Sequence, residues 1–164
     1  MNAPALTHPL LLRVQPFLAS LGLAVRAGVV PAGGFLPGVL VENGGLTVDE
    51  ATLAYPSDVL HEAGHLATMT AEERGSAVAT LGPDPAMEMA ALAWSYAAAR
   101  HLGIPSRELF HDGYKAGGAA LAHAFDNGGG PGVPMLAWWG MTLETHVAAR
   151  QGVPGFPVMS RWLR

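Results

Sequence analysis

The chain has no cysteine, which excludes disulfides and thiolate metal ligation. Any metal it binds must be held by His, Asp or Glu. Charge is scarce too: Asp, Glu, Lys and Arg make up 13% of the 164 residues and half the sequence is hydrophobic. That balance suits a folded globule and leaves little for a disordered tail. Positive charge is especially thin, with nine Lys and Arg scattered along the chain and a formal net charge of −4. Phosphate binding needs clustered cations, so no nucleic-acid partner is expected. No uninterrupted apolar run reaches the roughly twenty residues that span a bilayer, and no membrane partner is expected either.

The stretch HPLLLRVQPFLASLGLAV, positions 8–25, comes nearest to a targeting segment. Arg13, Gln15 and Pro16 interrupt it, and it has neither a basic leader nor a cleavage site. Leu11, Val14, Leu18 and Leu21 recur at helical spacing, so a core-packed helix is expected. The length fits a single domain over residues 1–164, expected to be soluble and cytoplasmic.

Residues 28–37, GVVPAGGFLP, are a loop by their Gly and Pro content. Val39 to Val41 and Leu46 to Val48 flank Asn43-Gly44, the pair suited to a tight hairpin turn. Beyond it the pattern is almost wholly helical. A helix with Pro56 in its first turn runs to about Met69. Another is capped by Asp84, has Pro85 just inside, and stops near Leu102 before Gly103 and Pro105. A short helical turn follows over Ser106 to His111, then a helix from Tyr114 to Phe125. After the glycine-rich connection at 127–134, Met135 to Arg150 reads as helix, broken near Gly140 with Thr142 capping the second half. The fold class expected is α+β, mostly helical, with a small antiparallel sheet or hairpin beside the helix that starts near Pro56.

That helix carries His61-Glu62-Ala63-Gly64-His65. Residues four apart lie one above the other on a helix, so both imidazoles can address one point. Glu62 is offset by about a hundred degrees and can flank that point. Hydrolytic zinc takes three protein ligands and leaves one position open, and two imidazoles beside a carboxylate base meet much of that demand. Gly64 inside a helix costs about 1 kcal/mol relative to alanine, which suggests that something approaches the backbone closely.

HEAGH on a helix after a strand resembles the zincin metallopeptidases. The resemblance is local, covering the motif and its surroundings, about thirty residues, and it implies a compact zincin-like domain. It also implies that His61 and His65 bind zinc and that Glu62 is the general base. The strand Val39 to Val41 or Leu46 to Val48 would then align a peptide or protein substrate. The metzincin pattern would place a third histidine at 71, but Ala71 stands there. In gluzincins the third ligand is a glutamate on a later helix, often in ExxA. Glu88-Met89-Ala90-Ala91 supplies one, 23 residues beyond His65. A carboxylate at the head of an otherwise apolar helix also needs a partner, which a cation would provide. Its bland alternative is a first-turn glutamate favoured by the helix dipole.

Many gluzincins place an aspartate four residues after that glutamate, where this chain has Leu92. The partner of a metal-bound imidazole must therefore come from elsewhere, with Asp58, Asp112, Asp126 and Glu144 as candidates. For oxyanion stabilisation, His111 and Tyr114 are the candidates and His146 ranks lower; His8, His101 and His123 read as structural or exposed. Trp94, Tyr96, Trp138 and Trp139 read as packing. The NGGGPGVP stretch lacks the Lys-Ser/Thr of a phosphate loop. The expectation is a zinc-dependent metallohydrolase, most simply a peptidase; a lesser reading has another chain or a homodimer complete its groove. The alternative is a non-catalytic metal-binding or regulatory module that keeps the site.

Overall fold

The computed structural model describes residues 4–34, 36–77, 84–114 and 117–164. Helix α1 (Pro9–Ser20) starts where His8 Nδ1 accepts the Leu10 N–H, and it buries Leu10, Leu11, Val14 and Leu18. Strand β1 (Val25–Ala27) follows at once. The hairpin then forms as its turn residues dictate. Asn43 and Gly44 both take positive φ, 50° and 72°, the backbone a tight two-residue turn requires. They connect β2 (Val39–Glu42) to β3 (Gly45–Val48) in antiparallel register, with Val41 opposite Leu46.

The sheet order is β1-β3-β2, and β1 runs parallel to β3. The expected antiparallel hairpin is therefore two-thirds of a mixed sheet. Three residues of β1 are too few to show a period of two, so pattern alone does not mark this strand. β3 is paired on both sides, which removes Leu46 to Val48 as a substrate-aligning edge, while β2 has one edge without a strand neighbour among the described residues.

Helix α2 (Asp58–Thr68) carries HEAGH, packs against the sheet and against the helix of residues 85–102, and buries Val59, Leu60, Ala63, Leu66 and Ala67. Pro56 lies in the turn just before it. A short α3 (Ala71–Gly75) is closed by a capping box between Thr70 and Glu73. Helix α4 (Pro85–Leu102) has Asp84 as cap, accepting the Ala86 and Met87 N–H groups, and ends at Gly103 with φ 66°. Residues 90–99 of α4 are buried all round, so it is the central helix.

The remaining helices are short: α5 (Ser106–Leu109), α6 (Gly118–Asp126), α7 (Val133–Trp138) and α8 (Thr145–Gln151). The expected helix start at Tyr114 is corrected to Gly118, because Tyr114 belongs to the turn that follows α5. Thr142 does not cap α8. Its hydroxyl donates to the Val158 carbonyl at 2.7 Å, and it bridges to Met159. Among the described residues no helix is long and apolar enough to cross a membrane. The fold is α+β, with eight helices and three strands in the described residues.

Candidate metal centre

On α2 the polar residues Asp58, His61, Glu62 and His65 recur at the spacing of one helical stripe, against an otherwise apolar, buried helix. His61 and His65 of that stripe face Glu88 on α4, and Asp58 meets His111. The two helices come close because Gly64 has no side chain: a Cβ there would sit 2.8 Å from the Ala91 carbonyl oxygen. The glycine inside the motif is thus explained by the backbone of the helix that carries Glu88.

His61 Nε2 lies 2.9 Å from Glu88 Oε1, and His65 Nε2 lies 2.9 Å from Glu88 Oε2. The two imidazole nitrogens are 3.2 Å apart. Three ligand atoms, one from each residue, fall within 4.8 Å of one another. Nitrogens each about 2.0–2.1 Å from a tetrahedral ion such as zinc would be about 3.3 Å apart, so the imidazole spacing admits a metal ion of that size. The donor set is two imidazoles and one carboxylate. The His61 residue is 9% exposed, whereas the Glu88 side chain is half exposed, so the cluster opens to solvent on the α4 side. Glu88 is therefore more than a dipole-favoured surface glutamate, since both of its oxygens are committed to the imidazoles.

Electrostatics tie these groups together. Hydrogen bonds from His61 and His65 hold the Glu88 carboxyl well below the usual carboxylate range, against the opposing effect of burial. For His61, burial disfavours the imidazolium. The hydrogen bond and charge of Glu88, with the charges of Glu62 and Asp58, outweigh it and raise the pKa. Burial raises the Glu62 carboxyl, with Glu88 and Asp58 pushing the same way and His65 and His61 opposing. A carboxylate with a raised pKa is a better proton acceptor than an ordinary one.

The two residues expected to steady an oxyanion lie at this site and differ in what they can offer. His111 Nε2 is 2.7 Å from Asp58 Oδ1, and His111 Nδ1 accepts the Gly113 N–H at 3.0 Å. The proton therefore belongs on Nε2, and both ring nitrogens are engaged. Tyr114 packs edge-on against His61, with ring centroids 5.9 Å apart. Its hydroxyl is buried and has no hydrogen-bond partner among the described residues. Burial, then the charges of Asp58, Glu88 and Glu62, push the phenol far above its ordinary pKa, so it stays protonated.

None of the four candidate carboxylates orients a metal-site imidazole. Asp58 is taken by His111, Asp112 approaches Arg107 at 3.7 Å, Asp126 accepts from Tyr96 and Ser106, and Glu144 stands near His146. His61 Nδ1 is buried with no partner among the described residues. His8 caps α1, His101 packs on Phe17 and Trp162, and His123 is exposed. Trp94 is core packing, its indole N–H donating to the Trp162 carbonyl, but Trp138 is 87% exposed and packs far less than expected. Tyr55, stacked on His111 at 3.5 Å, was not marked by any sequence signal.

The chain matches no family model, no curated protein and no solved structure. The chemistry of the cluster therefore carries the functional reading.

Proposed function

We propose that this protein is a metal-dependent hydrolase of the zincin type, acting on peptide bonds, with His61, His65 and Glu88 holding zinc. The observation that supports it is the meeting of both HEAGH imidazoles with the two oxygens of a single carboxylate from another helix. An N2O donor set with an open side suits zinc. The metal, when bound, supplies a Lewis acid that polarises a carbonyl and acidifies water.

The chain's own groups do the rest. The Glu62 carboxylate takes a proton from the attacking water and delivers it to the departing amine. Tyr114 donates its hydroxyl hydrogen to the oxygen on which negative charge develops, which requires a donor placed in advance. His61, His65 and Glu88 already converge from two helices, so the ligand atoms are gathered at one place.

Glu62→Gln tests the reading. The variant is expected to bind zinc as the unmodified protein does and to lose at least about a hundredfold in cleavage of a mixed peptide library, in keeping with the loss of a general base. Equal cleavage by both proteins would remove Glu62 from the chemistry. Absence of cleavage in both, with zinc bound, would favour a metal-binding module.

A further inference from the structure

The turn after α5 carries Tyr114, and several contacts fasten its residues 110–114. Phe110 is fully buried at its start. The His111 ring lies flat against Tyr55, 5° from parallel, and meets Asp58 on the first turn of α2. Gly113 turns back onto that ring so closely that a Cβ would be 2.9 Å from both His111 Nδ1 and Tyr55 Cε2. The Tyr114 N–H donates to the His111 carbonyl at 3.1 Å, and the Tyr114 ring rests 4.7 Å from the imidazole. The Asp58 and His111 side chains are 11% and 13% exposed, so this pair is screened from solvent. Breaking a buried charged hydrogen bond of this kind leaves the remaining partner uncompensated.

We propose that Asp58 and His111 are a positioning pair. They tie residues 110–114 to the helix that bears HEAGH, so that the Tyr114 ring is held edge-on against His61, and neither touches substrate. His111 suits this role because one nitrogen accepts from its own turn while the other donates to α2. It has no nitrogen left for a reacting group. The idea rests on the metal reading for its consequence, though not for the fastening itself.

Two measurements separate these. In cobalt-loaded protein, acetohydroxamate binding is followed by the visible spectrum. Tyr114→Phe is expected to weaken it about tenfold, the scale of one lost hydrogen bond. Asp58→Ala should weaken it by the same factor, and the double variant by no more than either alone. Asp58→Asn, whose Oδ1 still accepts from His111, should remain within about twofold of the unmodified protein. An additive loss of about a hundredfold in the double variant, or an Asp58→Ala protein that binds normally, would overturn the pairing. The second measurement is hydrogen exchange on metal-free protein. The Gly113 and Tyr114 amides should exchange at least about tenfold faster in Asp58→Ala than in Asp58→Asn, with α4 unchanged. Equal exchange at those amides overturns the fastening role whether or not cobalt binds, whereas failure of the unmodified protein to bind cobalt overturns the metal reading alone.

Discussion

The α2–α4 seam and the C-terminal stretch from Asn127 to Arg164 are built on opposite plans. The seam consists of two regular helices brought together by small residues, with a polar cluster set into an apolar contact. The C-terminal stretch is Gly- and Pro-rich, folds into two short helices, and leaves Trp138 beside a shallow hollow of about 290 Å³ lined by Pro134, Met135 and Trp139. The cluster sits where Gly64 lets the α2 and α4 backbones approach and the surrounding side chains are buried. The looser stretch also touches the seam helices: the Trp162 carbonyl accepts the Trp94 indole N–H of α4, and the Arg164 N–H donates to the Ala67 carbonyl of α2. Gly132 lies so near the first turn of α4 that a Cβ would be 2.0 Å from the Met89 carbonyl oxygen.

Substitutions can break this contrast in graded steps. The largest effect is expected from Gly64→Val, which forces a branched side chain into the Ala91 backbone and drives His65 away from Glu88. A loss of about 3 kcal/mol or more is expected, at the upper end of overpacking costs, together with loss of metal binding. Denaturant melts and a zinc titration check both. Next come two glycines of the C-terminal stretch. Gly132 and Gly152 both have positive φ, 88° and 68°, but only Gly132 has a neighbour in the way. Gly152→Ala should cost about 1 kcal/mol, the penalty of a left-handed alanine. Gly132→Ala should cost about 3 kcal/mol and also weaken metal binding, because it disturbs the turn that carries Glu88. Equal costs at the two positions would erase the distinction drawn between them.

The smallest effect lies outside both regions. The Glu50 carboxylate accepts the His8 and Thr7 N–H groups and the Thr7 hydroxyl, which lower its pKa. A lowered folded-state value means that the stabilisation is present above the ordinary carboxylate pKa and is lost as pH falls through the lowered one. Glu50→Gln should therefore be less stable by under about 1 kcal/mol at neutral pH, given solvent screening. That difference should vanish in acid, and thermal melts across pH would show it.

The same contrast governs what could be read from residues alone. The hairpin was legible because Asn43-Gly44 is a local instruction, and α4 because Asp84, Pro85 and Gly103 mark both ends. Glu88 was legible as a carboxylate out of place at the head of an apolar helix, and His61 and His65 through their helical spacing. The destination of Asp58 was not: its partner His111 lies 53 positions away, and no local pattern encodes that meeting. β1 went unseen because a parallel neighbour is chosen by tertiary packing and three residues carry no alternation. The Thr142 misreading has a similar cause. A threonine ahead of a helix resembles a cap, but here its hydroxyl serves a distant carbonyl.

The central claim is that His61, His65 and Glu88 together hold one divalent ion. It is tested most directly by equilibrium dialysis with zinc, followed by metal analysis, on the unmodified protein and on Glu88→Ala. About one zinc per chain is expected in the first, with affinity reduced at least about a hundredfold in the second, since one of three protein ligands is removed. Stoichiometric zinc held equally tightly by Glu88→Ala, or none held by the unmodified protein, would contradict the account.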